Sequence, residues 1–460
     1  MSAAAFNILS LPIEITTEIF LHALPGERKL TLRHLDAPLV FLSVCKTWNQ
    51  IAHSTPTLWR FLSLYISPPN FRKAGDATFL AGLERWFLRC EERLGLHFKL
   101  SGPVGCVAWV LGSEAFRSHA SSISYLRLTP INHASEAATI ELPELSNLRA
   151  FEWVKPPHNL NGSGRVSLAA GPQYPQLRRA FIHYGTTSEL ALPWHQLTEV
   201  HCRSRAVAEV LQFVRLLPNV VRFENITSRN FRERDTLGAK DEVLHPTVQH
   251  LRIEHHYKPS PRKRAALEFV AAPNVKRLRT DVPQSTFTAF LQRSRSPSIT
   301  HLDVDLSDDN KWDWAVDAFN SQLPALVELR LRYPATCSAN SFFRHFSDKT
   351  FLPNLRTLVV ECIRHTAEED APAADLPLED SAEPCPFSAI ILWAGPAVAG
   401  RLGSQVGHLG FLQLLERVPE DASLDVGIPD GVKEVYRKLG NLGVRVQIRR
   451  TRDVHFEVEY

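Results

Sequence analysis

Residues 248–280, VQHLRIEHHYKPSPRKRAALEFVAAPNVKRLRT, contain one short pattern twice. In each copy an apolar residue is followed by two variable residues, a second apolar residue, one variable residue and usually a third apolar residue. Alternating apolar positions are typical of a β-strand that buries one face. Because the copies VQHLRI and VKRLRT are separated by a connection long enough for a crossover, the stretch predicts two parallel strands.

The same pattern recurs along most of the chain, starting near residue 119. Successive copies begin 20 to 32 residues apart, which is close to the length of a leucine-rich repeat, about 20–29 residues. A strand–helix unit at this spacing predicts right-handed stacking into a solenoid with a parallel sheet. The ten copies begin at Ile123, Leu145, Leu177, Leu197, Val220, Val248, Val275, Ile299, Leu326 and Leu355.

Helical periodicity fills several intervals between copies and also a segment before the first copy. The position eight residues after each anchor is normally Asn or Cys in leucine-rich repeats. Neither residue type occurs there in this chain, so no asparagine ladder is expected to tie the turns together. The predicted helices are residues 78–94, 205–217, 264–271, 286–292, 312–323 and 340–346.

Residues 366–386, TAEEDAPAADLPLEDSAEPCP, differ in composition from the repeats around them. They contain seven acidic residues, four prolines and no basic residue, a composition that predicts a disordered loop. Beyond this loop we expect the last repeats and a terminal cap. The elements expected there are strands at 387–393, 423–426 and 444–449 and helices near 405–417 and 430–439.

Residues 10–59 carry two short amphipathic helical patterns joined by a spacer. In the first pattern, Leu11, Ile15 and Ile19 recur at a spacing of four residues and fall on one helical face. An apolar stripe of the same kind runs through residues 41–52. A module of fewer than sixty residues cannot bury this many large apolar side chains internally. Some of them must therefore meet another surface.

The segment LPIEITTEIF followed by LSVCKTWNQIAHSTPTLW resembles the F-box, especially the F-box-like motif near the N-terminus of many fungal proteins. The Leu-Pro opening, the Val-Cys-Lys-x-Trp core and the Pro-x-Leu-Trp ending stand at family spacing, whereas the basic spacer at residues 25–38 is longer than the family pattern. The resemblance covers roughly residues 8–62. It implies a helical module that docks on a Skp-family adaptor of a cullin-based ubiquitin ligase. The adaptor-binding motif positions that carry over are Leu11, Pro12, Ile15, Ile19, Val44, Cys45, Trp48, Ile51, Leu58 and Trp59.

These features predict an α/β protein in three parts. The first is a small all-helical F-box-like module at residues 8–65, and the second is a linker with a connecting helix at residues 66–118. The third is a leucine-rich-repeat-like α/β solenoid with a parallel sheet at residues 119–460, interrupted by the acidic loop at about 366–386.

Composition limits the classes of protein and partner. The chain has 460 residues, of which 44% are hydrophobic and 22% charged, as in folded soluble proteins, and its net charge is +3. This near-neutral balance favours neither nucleic acid nor a membrane surface as a partner. The seven cysteines show no paired spacing, which favours reduced thiols. Because the N-terminus lacks the features of a signal peptide, we expect a cytoplasmic or nuclear protein, or both.

Motifs for enzymatic chemistry are absent from the sequence. It has no phosphate-binding loop, GxSxG elbow, HExxH, GxGxxG or CxxC pair. The only local histidine cluster is formed by His245, His250, His255 and His256, and these residues fall within a predicted strand or at loop edges. Solvated polar positions are therefore expected in place of a metal site. We expect no catalytic residue, cofactor or metal.

Arginine is concentrated on one predicted face of the sheet. If the three apolar positions of each copy point into the core, alternation places three other positions per copy on the exposed face. Arginine fills ten of these thirty positions and lysine none. The planar donor fork of arginine suits carboxylate or phosphate groups. The face would bind a target, or its arginines would pair with acids on neighbouring strands. The arginines considered for target binding are Arg127, Arg149, Arg179, Arg203, Arg252, Arg279, Arg330 and Arg332.

Together these patterns predict a non-catalytic substrate-recognition subunit of a Skp–cullin–F-box ubiquitin ligase. The helical module would bind a Skp-family adaptor and, through it, a cullin, while the array would hold an unknown target protein near the ubiquitin carrier. One alternative is an interaction scaffold without a ligase role, whose N-terminal helices only cap the array. Another is an enzyme built on the solenoid, which would require a pocket with perturbed ionisable groups.

Overall fold

The computed structural model of the protein divides into two compact units of α/β structure. The first unit comprises Met1–Arg205 and Arg215–Val220, and the second comprises Ala206–Val214 and Val221–Tyr460. The structure describes residues 11–24, 32, 35–66, 76–131, 138–155, 166–168, 174–204, 206–227, 241–255, 265–282, 284–295, 297–305, 319, 321–334, 340–348, 350–363, 387–402, 409–418 and 430–452.

The first unit begins with short helices and continues with parallel strands. Its elements are α1 (Ile13–His22), α2 (Phe41–Val44), α3 (Lys46–His53), β1 (Phe61–Tyr65), α4 (Asp76–Arg89), β2 (Leu96–Pro103), α5 (Val104–Gly112), α6 (Glu114–Arg117), β3 (Ile123–Ile131), β4 (Ala138–Ile140), β5 (Ala150–Val154), β6 (Val166–Leu168), β7 (Arg179–His183) and β8 (Glu199–Ser204). Strands β1, β2, β3, β5, β7 and β8 lie side by side in that order. Each of these strands is parallel to its neighbours, and β4 pairs with β6 apart from them.

The second unit is built in the same way. Its elements are α7 (Val207–Leu216, most of which belongs to this unit), β9 (Arg222–Thr227), β10 (Val243–Leu244), β11 (His250–His255), β12 (Val270–Ala271), β13 (Arg277–Thr280), α8 (Gln284–Arg293), β14 (His301–Asp305), β15 (Glu328–Pro334), α9 (Asn340–Phe346), β16 (Thr357–Ile363), α10 (Phe387–Leu402), β17 (Phe411–Val418), α11 (Asp430–Asn441) and β18 (Arg445–Arg452). Strands β9, β11 and β13 to β18 are adjacent and parallel in chain order. The predicted α/β class with a parallel sheet is confirmed, and the sheet is not closed.

Alternating burial explains why the repeat pattern forms strands. In β2 the side chains of Leu96, Phe98 and Leu100 are fully buried, and the residues between them are partly exposed. Burying one such side chain contributes about 1.5–3 kcal/mol. A slip of one residue would turn the whole apolar set towards solvent, so burial also fixes the register.

Two strands precede the first predicted copy of the repeat. β1 pairs with β2 and β2 pairs with β3, so residues 61–65 and 96–103 belong to one parallel sheet. They lie in the segments interpreted as the end of the helical module and as the linker. The pattern is present in β1 as well, because Trp59, Leu62 and Leu64 are buried at the spacing of an anchor and its two followers.

The copy anchored at Leu145 is out of register by three residues. Tyr125 pairs with Ala150, which puts Leu148 where the other copies have their anchor. Phe151, which the pattern placed on the exposed face, is consequently fully buried, as is Trp153. Both registers satisfy the apolar pattern. The observed register buries two large aromatic side chains and so removes more apolar area from water.

The two elements after the acidic segment are exchanged relative to the prediction. Residues 387–393, expected as a strand, lie in α10, and β17 occupies most of the region where a helix near 405–417 was expected. A short apolar run fits a buried strand or a buried helix equally well. Here the helix continues past Pro396, whose ring is exposed. The full burial of Leu412 and Leu414, two residues apart, marks β17 as a strand.

The remaining predicted elements have mixed outcomes. Residues 264–271, expected as a helix, form a single 3-10 turn, Ala266–Glu268, followed by β12. The Glu268 carboxylate closes that turn by accepting the Ala265 N–H at 3.2 Å. The predictions for 366–386, 423–426 and most of 312–323 lie outside the described residues. To within five residues at their ends, the structure confirms the helices predicted at 78–94, 205–217, 286–292, 340–346 and 430–439 and the strand predicted at 444–449.

Four side-chain amides, here termed the amide ladder, each tie the start of one strand to the preceding copy of the repeat. Asn147, Asn219, Asn274 and Asn354 each stand one residue before the first buried residue of a copy. Each Nδ2 donates, at 2.6–2.9 Å, to a backbone carbonyl 24 to 30 residues earlier. Such a bond contributes about 0.5–1.5 kcal/mol. The position eight residues after each anchor carries no asparagine, as expected from the sequence. These four amides precede the strand, where the sequence pattern did not anticipate them.

Candidate functional site

The N-terminal helices pack around three aromatic rings. Phe20 of α1 stacks on Phe41 of α2 with ring centroids 4.2 Å apart, and Trp48 of α3 meets Phe20 edge-on at 4.8 Å. Aromatic pairs of this geometry contribute about 0.5–1.5 kcal/mol beyond the area that they bury. Trp48 therefore packs on the core of the helical module itself.

Burial divides the ten residues of the F-box-like pattern into two sets. Six are buried or half-buried: Leu11, Cys45, Trp48, Ile51, Leu58 and Trp59. The other four are exposed: Pro12, Ile15, Ile19 and Val44. Cys45 has a local role, because its Sγ accepts the Trp48 N–H at 3.5 Å and so caps α3. The exposed set is the one that a partner could cover most directly.

The apolar stripe of α1 faces solvent. Ile15 and Ile19 are 48% and 37% exposed, whereas Thr16 and Phe20 are buried against the module. Ile15 and Ile19 are one helical turn apart and therefore neighbours on the same face. Large apolar side chains grouped in this way on a soluble surface mark interaction sites.

Two further exposed apolar residues in the N-terminal region were missed by the sequence pattern. They are Ile13, at the start of α1, and Leu35, in the spacer between α1 and α2. Of the ten large hydrophobic side chains that are exposed in the described parts of the chain, five lie between residues 13 and 44. Because Ile13 lies off the stripe and Leu35 lies outside both helical patterns, only their exposure identifies them.

Trp59 joins the helical module to the first strand of the sheet. Its Nε1 donates to the Ala52 carbonyl at 2.9 Å, and its own carbonyl accepts from Trp86 Nε1 at 2.8 Å. The two indole rings are fully buried and meet edge-on at 5.1 Å. The Arg89 guanidinium lies over the Trp59 ring, 4.6 Å from its centroid. These contacts fix α3 and the start of β1 to α4, and they make the closing Trp of the motif a core residue.

The exposed face of the first unit's strands, here termed the first face, combines rings with positive charge. Phe61 meets His97 edge-on at 4.7 Å, His97 stacks on Tyr125 at 5.3 Å, and Phe181 stacks on His201 at 4.8 Å. The strand register places these residues on the first face: Phe61, Ser63, Tyr65, His97, Lys99, Ser101, Tyr125, Arg127, Thr129, Ala150, Glu152, Val154, Arg179, Phe181, His183, Glu199, His201 and Arg203.

The first face has few carboxylates for its cations. Within the described strands, Lys99, Arg127, Arg179 and Arg203 face the carboxylates of Glu152 and Glu199 only. Glu152 is nearly buried; it accepts the Tyr125 hydroxyl and lies 3.3 Å from Arg127 and 3.6 Å from His183. Glu199 is held by His201 at 2.8 Å.

Two histidines report the positive field of the first face. Burial, followed by Arg60, Lys99 and Arg179, lowers the pKa of His97 to about 4. Burial, followed by Arg203, Arg127 and His201, lowers the pKa of His183 to about 3. Both imidazoles are therefore neutral at physiological pH.

The exposed face of β9 to β16, here termed the second face, is a network of ion pairs. The Glu254 carboxylate lies 2.5 Å from Arg252, 2.5 Å from Arg279 and 3.1 Å from Arg332. The strand register places Arg222, Glu224, Ile226, His250, Arg252, Glu254, Arg277, Arg279, His301, Asp303, Asp305, Glu328, Arg330, Arg332, Thr357, Val359 and Glu361 on this face.

The network continues through acids on later strands. Arg332 also lies 2.5 Å from Asp303 and 3.7 Å from Glu361, and Arg330 lies 3.1 Å from Glu361. Burial alone would raise the pKa of Glu254, but Arg279, Arg332 and Arg252 together lower it to about 2. Because its charges are largely matched internally, the second face behaves as a structural network.

The eight arginines considered for target binding are thus of three kinds. Five lie in ion pairs with carboxylates: Arg127, Arg252, Arg279, Arg330 and Arg332. The pairing interpretation left open by the sequence holds for these five. Arg203 lies beside His183 on the first face. Arg149 and Arg179 are exposed where β5 and β7 begin; Arg149 precedes β5 because of the corrected register, so it lies off the face.

The histidine cluster does not form a metal site in the part of the chain that the structure describes. His245 lies 3.2 Å from the Thr247 hydroxyl, His250 is on the second face, and His255 pairs with Asp281 at 3.0 Å. His256 lies outside the described residues. Among these residues no group of three or more His, Cys, Asp or Glu side chains is arranged to hold an ion.

The sequence matches no protein-family model and no curated protein. Among the helices in the described ranges, none has both the length and the apolar character needed to cross a membrane. The exposed stripe of α1 and the two sheet faces are therefore the features from which a function can be argued.

Proposed function

We propose that the chain is a non-catalytic substrate receptor of a Skp–cullin–F-box ubiquitin ligase. In this proposal the N-terminal helices bind a Skp-family adaptor, and the parallel strands form a leucine-rich-repeat-like array that holds a target protein. The chain acts by proximity, because tethering raises the effective concentration of the target at the ubiquitin carrier. It would work in the cytoplasm, the nucleus or both.

The observation that carries the proposal is the outward-facing stripe of α1. Ile15 and Ile19 are exposed, and both belong to the F-box-like pattern. If the helical module only completed the fold of this chain, its apolar stripe would lie against the core, as Phe20 does. A stripe turned to solvent suits a partner helix or groove that covers it. The first face is the better target surface, because it presents aromatic rings, whereas the charges of the second face are largely paired with one another.

The test is adaptor recovery by an Ile15→Glu/Ile19→Glu double variant. Two carboxylates in an apolar interface would have to be desolvated without a partner. We therefore expect recovery of a Skp-family adaptor with the purified chain to fall at least tenfold. Because both side chains are exposed in the free chain, its thermal unfolding midpoint should stay within a few degrees of that of the unmodified protein.

The matched control is Leu88→Glu, which changes another exposed aliphatic side chain, on α4 of the same unit. It should leave adaptor recovery unchanged. Undiminished recovery by the double isoleucine variant would refute the docking role of α1. Trp48→Ala is unsuitable for this test, because removing a ring that contacts Phe20 and Phe41 perturbs the module itself.

A second candidate function is an interaction scaffold without a ligase role. The Trp59–Trp86 contact favours it, because this contact makes the helical module continuous with the first strand, as a terminal cap would be. This candidate predicts that neither adaptor nor cullin is recovered with the unmodified chain from cells. Recovery that depends on Ile15 and Ile19 would exclude it.

A further inference from the structure

An open cleft in the first unit is lined mainly by arginine. It has a volume of about 370 Å³, and its lining residues are Arg149, Gln176, Arg178 and Arg179. It lies at the edge where β5 and β7 begin, next to the first face. None of the described residues that line it is acidic. The cleft thus concentrates three positive charges around a space large enough for a small group.

The walls of the cleft are held by hydrogen bonds. The backbone N–H groups of Arg178 and Arg179 both donate to the Arg149 carbonyl at 3.1 Å, which fixes the two strand starts together. Arg178 Nη1 donates to the Pro175 and Leu177 carbonyls, each at 3.0 Å. Gln176 Nε2 donates to Asn147 Oδ1 at 3.1 Å, and so joins the cleft to the amide ladder. A ligand would find this geometry largely preformed.

The strand register brings one acid, Glu199, opposite an arginine of the cleft, Arg179. The Glu199 carboxylate lies 2.8 Å from His201, and a single carboxylate leaves the three arginines with an excess of positive charge. Three guanidinium groups around one space repel one another, and an anion between them relieves this repulsion. Arg179 is also among the cations that lower the pKa of His97 to about 4, after burial, Arg60 and Lys99.

We propose that the Arg149–Arg178–Arg179 cleft binds a phosphoryl group. Guanidinium forks donate two parallel hydrogen bonds to phosphate oxygens, and three forks offer enough positive charge for a dianion. A single carboxylate would neutralise one charge and leave the other two repelling. The phosphoryl group can be free phosphate or a phosphorylated side chain of a partner; in the second case the inference also rests on the proposed target-binding function.

The direct test is a calorimetric titration of the full-length chain with inorganic phosphate at constant ionic strength. We expect saturable binding to the unmodified chain and at least tenfold weaker binding to an Arg149→Gln/Arg179→Gln variant. Both side chains are exposed, so the fold should persist, and a thermal melt without phosphate checks this. The matched control is Arg277→Gln, an exposed arginine at the start of β13 in the second unit.

These outcomes distinguish specific binding in the cleft from nonspecific attraction of phosphate to exposed arginines. Binding that is lost in the double variant and kept in Arg277→Gln supports the proposal. Absence of saturable binding, or equal weakening in Arg277→Gln, overturns it. These titrations need no adaptor, so their failure is distinct from failure of the α1 docking experiment.

A second set of titrations identifies the source of the phosphoryl group. The probes are one peptide sequence carrying serine, phosphoserine or glutamate at its centre. Tighter binding of the phosphoserine peptide than of inorganic phosphate supports a phosphorylated partner, and equal binding of the two supports free phosphate as the ligand. Equal affinity for the glutamate and phosphoserine peptides would overturn the assignment to phosphoryl chemistry.

Discussion

On the second face Glu254 lies among three guanidinium groups, whereas on the first face Arg179 and Arg203 lie near rings and other cations. The difference follows from which side chains the register brings opposite each other. Arg279 stands across from Asp303, and Arg332 across from Glu361. Arg203, in contrast, stands across from His183. An arginine on these faces is therefore available to a ligand where no carboxylate on a neighbouring strand forms an ion pair with it.

Removing the charge at the centre of the second face should have the strongest effect on stability. Glu254→Gln leaves Arg252, Arg279 and Arg332 close together without their shared carboxylate. Removing one partner of a buried ion pair costs about 3–5 kcal/mol. The lower end of this range is expected here, because Glu224 remains beside Arg252 and Asp303 remains beside Arg279 and Arg332. We expect amide hydrogen exchange in β11, β13 and β15 to accelerate by the factor that corresponds to this loss of free energy of unfolding.

The matched change on the first face is Glu152→Gln, which removes a carboxylate that faces one arginine, a tyrosine hydroxyl and a neutral histidine. Its cost should be smaller, about 1–3 kcal/mol. If the two variants destabilise their units equally, the contrast between a matched network and a cation-rich face fails.

Lowering the pH should destabilise the first face before it protonates Glu254 on the second face. An unfolded histidine has a pKa near 6.5, whereas the folded pKa values of His97 and His183 are about 4 and 3. As the pH falls below 6.5 the unfolded chain binds protons that the folded first unit does not, so that unit loses roughly 1–3 kcal/mol of stability towards pH 4.

Glu254 acts over a lower range of pH. Its pKa is about 2 in the folded chain and takes the ordinary glutamate value of 4.5 in the unfolded chain. Its stabilising contribution is therefore present above pH 4.5 and is lost as the pH falls towards 2. Burial first, and then Arg277, also lower the pKa values of His250 and His301 on the second face, so β11 responds to acid as well. Between pH 6.5 and 5 the protection factors of amide hydrogens, which correct for the intrinsic pH dependence of exchange, should fall further in β2 and β7 than in β11. An equal or larger fall in β11 would contradict the assignment of these groups.

The smallest expected effect concerns single arginines on the two faces. Arg203→Gln should change the free energy of unfolding by less than about 0.5 kcal/mol, while Arg279→Gln, which removes a partner of Glu254, should cost about 1 kcal/mol. Because Arg203 is one of the cations that lower the pKa of His183, its loss should raise that pKa. Proton NMR titration of His183 measures this shift. An unchanged pKa would show that Arg203 does not contribute to the positive potential at His183.

The repeating strands were predictable because their spacing and their alternation of apolar residues can be recognised in short stretches of the sequence. Copies such as Val248–Leu251–Ile253 needed only the alternation of apolar residues to be placed correctly. The register predicted for the copy near Leu145 was wrong because two registers are equally apolar. Only the packing of Phe151 and Trp153 decides between them. The exchange of α10 and β17 has the same origin, since an apolar run does not itself specify helix or strand.

The exposed surfaces were less predictable, because exposure depends on which neighbours the fold supplies. An apolar stripe through Ile15 and Ile19 predicts an amphipathic helix, but it does not say whether the stripe faces the core or a partner. Phe20 and Thr16 take the core positions here. Likewise, Arg149 was assigned to the sheet face and instead lines a cleft at its edge, because the register moved by three residues.

The amide ladder has a consequence for how this chain can change over evolutionary time. Asn147, Asn219, Asn274 and Asn354 fasten the stack at the edge where strands begin. The connection that leaves the other end of each strand carries none of these bonds and varies in length from copy to copy. Insertions there leave the fastened edge intact and cost little loop entropy. The protein can therefore acquire new loops, and with them new specificities, while its stacking is inherited unchanged.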